Sequence, residues 1–313
     1  MRKGLAALFT VLFLGTAASG AAEAKRLTDQ PLVDAAWLKQ NLNNPDLVVI
    51  DIRTKDDGGA AEGFAAGHIP GAVFADYNLA GWRTEVQGVP AMLPPQPQIE
   101  KLIGSLGVDG SKHVVVIPAG KTSSDFGNAT RVYWTFKVLG HDAVSVLDGG
   151  YRAWTADASY PVVTGAVTPK VATFNGKLRP EILATLTEVE TARKQSVPLV
   201  DARPNDQYLG KTKSPVVKRF GTIPAAVNIE NAKFYDDKTG KFASKNEVSQ
   251  LLDLAGVKKD GDVVAFCNTG HWASVAWFGI SEVYGNKKTT LYDGSMAEWA
   301  QDDARPVERK VNP

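Results

Sequence analysis

The chain repeats itself at a spacing near 150 residues, and a repeat of that length constrains the architecture more tightly than any local propensity. Leu47-Val48-Val49-Ile50-Asp51-Ile52-Arg53 is matched by Val197-Pro198-Leu199-Val200-Asp201-Ala202-Arg203, a buried-strand pattern running into Asp-x-Arg. Gly67-His68-Ile69-Pro70-Gly71-Ala72-Val73 is matched by Gly221-Thr222-Ile223-Pro224-Ala225-Ala226-Val227. Leu102 to Ile117 aligns without gaps on Leu251 to Phe266: an amphipathic helix, a glycine stop, then a β-branched strand. Gly140, Asp148, Gly149 and Trp154 reappear as Gly285, Asp293, Gly294 and Trp299, each 145 residues on. Four ordered matches point to a tandem duplication.

In each half, short apolar strands alternate with helical stretches, which predicts an α/β fold: two copies of a mostly parallel central sheet flanked by helices. Ser244 and Glu247 form a capping box that starts a helix at about 245. In the first half Pro90, Pro94, Pro95 and Pro97 read as a rigid surface loop ahead of a helix at about 98. The stretch from Thr155 to Lys177 holds prolines, glycines and small residues without helical period, and reads as connecting chain. The expected division is an N-terminal domain over 25–160, a linker over 161–178 and a C-terminal domain over 179–313.

Residues 1–24 have the parts of a secretory signal peptide: Arg2 and Lys3, an apolar run from Leu5 to Leu14, and small residues ending Ala22-Glu23-Ala24. The apolar run is shorter than the ~20 residues a spanning helix needs, so cleavage near Ala24 and a periplasmic mature chain without a membrane anchor are expected. Loss of Arg2, Lys3 and Glu23 would leave 33 basic and 33 acidic residues of the original 35 and 34. No basic excess remains to neutralise a nucleic-acid backbone. One cysteine excludes an internal disulfide framework, and four scattered histidines make a zinc cluster improbable. No metal or cofactor is expected.

That lone thiol, Cys267, lies where an open parallel sheet places its chemistry. The strand Val263–Phe266 runs into Cys267-Asn268-Thr269-Gly270-His271-Trp272 and then a helix, so the thiol stands at the carboxyl end of a strand. Backbone N–H groups of the loop and the helix N-terminus favour an anion there, and so favour thiolate. A mid-strand cysteine would be inert packing; this one is the last residue before a polar, glycine-containing turn.

These features resemble the tandem-domain rhodanese family of sulfurtransferases over the whole mature chain. The resemblance is carried by the Asp-x-Arg strand ends, the Gly-His-Ile-Pro-Gly-Ala element at 67, the Asp-Gly-Gly-x-x-x-Trp element at 148 and the six-residue loop from Cys267 to Trp272. It implies two similar α/β domains with a reactive cysteine only in the second. The cysteine would take a sulfane sulfur from a small donor such as thiosulfate or 3-mercaptopyruvate, become a persulfide and pass the sulfur to cyanide or a thiol acceptor. Pro118 aligns with Cys267 and the segment after it is four residues longer, so the first domain is expected to be silent.

Asp201 and Arg203 read best as a structural ion pair beneath the loop. His271 is placed to hydrogen-bond an anionic donor or tune the thiol, unless it simply faces solvent; Trp272 reads as a pocket wall. The loop departs from the family: Asn268 and Thr269 stand where thiosulfate-specific members carry basic residues, and Gln207 stands where an arginine often precedes Tyr-Leu-Gly. Lys211, Lys213, Lys218 and Arg219 are candidates to restore that charge, though four basic residues in nine equally fit a solvated loop, the better reading for at least two of them. A phosphatase of related fold would need arginine at Ala273 and one more loop residue. Gly120-Lys121-Thr122 imitates a P-loop end, but the upstream glycine is Val115. A non-catalytic sulfur carrier or redox-sensing module built on Cys267 is the remaining alternative.

Overall fold

The computed structural model describes residues 25–311. The expected signal sequence over 1–24 lies outside them. The first half runs β1 (Leu32–Val33), α1 (Ala35–Asn41), β2 (Leu47–Asp51), α2 (Ala60–Ala66), β3 (Ala72–Phe74), the hairpin β4–β5 (Thr84–Val86, Val89–Met92), α3 (Gln96–Ser105), β6 (His113–Ile117), α4 (Ser123–Val138), β7 (Val144–Leu147) and α5 (Gly150–Thr155). The second half repeats that order: β8 (Leu183–Ala184), α6 (Leu186–Lys194), β9 (Leu199–Asp201), α7 (Asn205–Leu209), β10 (Val227–Asn228), the hairpin β11–β12 (Tyr235–Asp236, Lys241–Phe242), α8 (Lys245–Leu254), β13 (Val263–Phe266), α9 (His271–Trp277), β14 (Thr289–Tyr292) and α10 (Ser295–Trp299). Both five-stranded sheets are parallel, in the equivalent spatial orders β1-β7-β6-β2-β3 and β8-β14-β13-β9-β10.

Strand periodicity aims the side chains. Val114 and Val116 of β6 enter a core shared by the two halves, while Val115 and Ile117 pack under the outer helices of the first half. In β13, Val264 and Phe266 face outward, and Val263, Ala265 and then Cys267 face the shared core. The alternation therefore delivers the thiol to the boundary between the halves. α4 lies there against α9, and nearly all its residues are buried, polar ones such as Asn128, Thr130 and Arg131 included.

The four extra residues after Pro118 are distributed along the unit. One lengthens the turn (118–122 against 267–270), two lengthen the helical stretch (Ser123–Val138 against His271–Tyr284, where Phe278–Tyr284 is π-helical), and Leu139 is the last. The expected surface loop at Pro90–Pro97 is corrected: Val89–Met92 pairs with Thr84–Val86, and Leu93 meets the other half through its N–H. A two-stranded ribbon has one unpaired edge on each strand, so Pro90 loses no ladder bond there. The following helix opens at Gln96, with Pro97 inside its first turn.

Candidate active site

Cys267 forms the floor of a cleft of ≈ 550 Å³ between the halves and is only 1% exposed, so a small reagent alone reaches it. The loop around it is held from below. Ser295 Oγ accepts the N–H groups of Cys267 (3.0 Å) and Gly270 (3.1 Å) and donates to Tyr292 O (2.8 Å). Gly270 has φ +75°, and a Cβ there would collide with the Arg131 guanidinium and lie 2.6 Å from Asp293 Oδ1. The N–H groups of Asn268, Thr269, His271, Trp272 and Ala273 have no acceptor among the described residues. They form a cradle of donors at the start of α9.

The first half closes the cleft. The Nε2 of His271 lies 3.0 Å from Ser124 O, and its Nδ1 lies 2.9 Å from the Tyr77 hydroxyl. Burial, then the Arg83 and Arg131 guanidiniums, push the His271 pKa down to about 3, so the ring is neutral. A carbonyl only accepts; hence Nε2 carries the proton and donates to Ser124 O, and Nδ1 accepts from Tyr77. Burial raises the Tyr77 pKa, which keeps that hydroxyl protonated. Both ring nitrogens are therefore committed to the first half. His271 lines the cleft half-buried, with both nitrogens turned to the first half. Trp272 Nε1 donates to Ser124 Oγ at 3.3 Å, and its ring lines the cleft.

Asn268 Nδ2 donates to Gln207 Oε1 at 2.9 Å, which ties α7 to the loop, and Thr269 lines the cleft beside it. Asp201 and Arg203 are fully buried below. Arg203 meets Asp201 through Nη2–Oδ2 at 2.6 Å and also donates to Gly221 O at 2.8 Å. Asp51, Arg53 and Gly67 O repeat this arrangement in the half without a cysteine. The four basic residues after Tyr208 do not restore charge to the site. Lys211 pairs with Asp206, Lys213 donates to Val217 O, Arg219 binds carbonyls around Trp299 to Arg305, and Lys218 is exposed outside the cleft. Among the described residues no cluster of three or more His, Cys, Asp or Glu side chains is placed to hold a metal.

In the first half the same cradle is full. The Asp125 carboxylate accepts the N–H groups of Gly120 (2.9 Å), Lys121 (2.6 Å) and Thr122 (2.6 Å). Asp125 is the third residue of α4; the third residue of α9 is Ala273, whose methyl leaves the cradle open. Comparison of the two copies would have exposed this contrast, and likewise Ser295, which stands where the first half has Gly150. Tyr77 and Ser124 carried no such signal, because they reach His271 only through the docking of the halves.

The family model of the rhodanese-like domain matches residues 34–157 and again 185–302. The chain belongs to the rhodanese-like family. The rhodanese-like chain is 32% identical to a Saccharopolyspora erythraea protein named "Putative thiosulfate sulfurtransferase", over 90% of this chain and 96% of that one. It is 29% identical to the 3-mercaptopyruvate sulfurtransferase of Escherichia coli K12, over 88% of this chain and 97% of the relative. The crystal structure of SseA from Escherichia coli superposes with a TM-score of 0.74 at 27% identity, covering 85% of the rhodanese-like chain and 98% of SseA. An anaerobic ergothioneine biosynthesis enzyme from Chlorobium limicola shares the fold, with a TM-score of 0.77 at 21% identity.

Proposed function

We propose that this rhodanese-like protein is a sulfurtransferase that moves a sulfane sulfur from a small anionic donor to a thiol or cyanide through a persulfide on Cys267. The observation that carries the reading is the single thiol on the floor of a small cleft, ringed by unpaired backbone N–H groups. These donors stabilise the thiolate and, after the first step, the negative outer sulfur of the persulfide.

With thiosulfate, the Cys267 thiolate attacks the sulfane sulfur, the S–S bond breaks and sulfite leaves with the bonding pair. With 3-mercaptopyruvate the C–S bond breaks instead, and the pyruvate enolate takes a proton from water. Cyanide or a thiolate then attacks the outer sulfur and returns Cys267 as thiolate. The sulfurtransferase names of the relatives support the reaction class. The neutral loop residues Asn268 and Thr269 leave both donors open.

The reading extends to the domain plan. The first domain, over 25–160, is catalytically silent, with Pro118 in place of the thiol and Asp125 in its cradle, and the linker over 161–178 joins it to the catalytic domain over 179–313. The chain is exported by residues 1–24 and works in the periplasm. Among the described residues, no helix is long and apolar enough to cross a membrane.

Intact-mass measurement after exposure to each donor tests the proposal. A gain of one sulfur atom that cyanide removes as thiocyanate is expected from at least one donor. No thiocyanate from either would refute turnover, and a stable sulfur adduct without turnover would favour a carrier.

A further inference from the structure

The cleft around Cys267 contains a cation that no acidic or carbonyl group of the described residues engages. Lys121 Nζ donates to Asp57 O at 2.6 Å, and the buried Arg131 Nη1 lies 2.6 Å from Asp293 Oδ1 beneath the loop. Arg83 differs. It lines the cleft with Cys267, and its guanidinium carbon sits 4.4 Å from the centre of the Tyr77 ring. It has no hydrogen-bond or ion-pair partner among the described residues. Asp56 and Asp57 line the same cleft, yet neither pairs with it; the Asp57 carboxylate is taken by Thr54 N and Oγ1 at 3.0 and 2.8 Å.

Resting on the sulfurtransferase reading, we propose that Arg83, a residue of the first half, clamps the anionic oxygens of the sulfur donor that lie away from the transferred sulfur. A guanidinium offers paired donors in one plane, which suit a sulfonate-like or carboxylate group. Stacking on Tyr77 orients that plane without consuming the N–H donors. Tyr77 in turn holds His271 through its hydroxyl at 2.9 Å, so the clamp is registered to the loop that carries the thiol. The loop side of the cleft provides Asn268 and Thr269, both uncharged, and the Gln207 that holds Asn268 is uncharged too. The second half supplies the nucleophile, and the half without a thiol supplies the charge that selects the donor.

The test is binding of thiosulfate and of 3-mercaptopyruvate, each measured by calorimetry on Cys267→Ser protein, which cannot react. Adding Arg83→Gln is expected to weaken both by tenfold or more, and Arg83→Lys to recover part of the loss. In the protein that retains Cys267, Arg83→Gln should raise KM with a much smaller change in kcat. Equal binding with and without Arg83, or no binding to the Cys267→Ser parent, would overturn the proposal. Arg83-dependent binding in a protein that turns over neither donor would uphold the clamp and remove the sulfurtransferase reading.

Discussion

The Asp293 carboxylate accepts the backbone N–H of Leu93, 200 residues earlier and in the other half, at 2.6 Å. Its repeat mate Asp148 accepts the N–H of Phe242, the mate of Leu93, at 3.0 Å. Each hairpin thus docks on the Asp-Gly turn of the opposite half, as the two subunits of a symmetric dimer would. The symmetry fails where the chemistry lies. Asp293 also holds the buried Arg131 under the Cys267 loop, whereas Asp148 meets the half-exposed Lys241 at 3.3 Å.

That difference sets two unequal costs. Asp293→Ala leaves the Arg131 guanidinium buried without a counter-charge, a loss of about 3–5 kcal/mol. Asp148→Ala removes one backbone acceptor and a partly exposed ion pair, about 1 kcal/mol. Denaturant titration of both variants should show the first far less stable; equal midpoints would refute the assignment.

Cys267→Ser should abolish sulfur transfer and leave the unfolding free energy within about 1 kcal/mol of the parent, since the two side chains differ little in volume. Residual thiocyanate formation in that variant would move the nucleophile elsewhere.

Acid should weaken the fold before most carboxylates titrate. Burial pushes the pKa values of His113 and His141 down to about 4. The folded state keeps both rings neutral while the unfolded chain protonates them, so their contribution is complete above about pH 6.5 and is lost as pH falls toward 4. Each accounts for on the order of 3 kcal/mol over that span. Unfolding free energies measured at about pH 7 and pH 4.5 should differ by several kcal/mol, and replacing both histidines with glutamine should flatten the difference. A flat profile in the parent would contradict the burial effect.

Much of this was legible in the sequence because the duplication supplied an internal control. β13 and its turn stood out as an apolar run ending at Cys267, and the Ser244 capping box places α8 where expected, with Ser244 accepting from Glu247 N. The Asp-x-Arg strand ends form the buried ion pairs their spacing suggests. The β4–β5 hairpin was obscured by Pro90 and the prolines that follow it, and the cost of Pro90 depends on an unpaired edge that only the fold reveals. The grip of Tyr77 and Ser124 on His271 spans 194 and 147 residues, and no local pattern encodes it.

Ser295→Gly tests the support beneath the loop. Ser295 has φ +50° and its mate Gly150 has φ +59°, so glycine suits the backbone and the fold should persist. The variant strips the acceptor from the N–H groups of Cys267 and Gly270. Thiocyanate formation is expected to fall tenfold or more, with melting temperature little changed; an unaffected rate would show that the loop holds itself.

The last contrast between the halves, Asp125 against Ala273, predicts that the reactive copy can be silenced without touching its thiol. Ala273→Asp places a carboxylate at the third position of α9, where Asp125 stands in α4 and caps three turn N–H groups. A tethered carboxylate at that position competes with thiolate, persulfide and donor for the same donors, and it repels all three. The variant should therefore lose sulfur transfer and the affinity of Cys267→Ser protein for thiosulfate, while Ala273→Asn, isosteric but uncharged, retains more of both. Because Ala273 is fully buried, near-ultraviolet circular dichroism must first show the packing intact in both variants. Full activity in a folded Ala273→Asp protein would mean that the cradle does not bind the reacting anion.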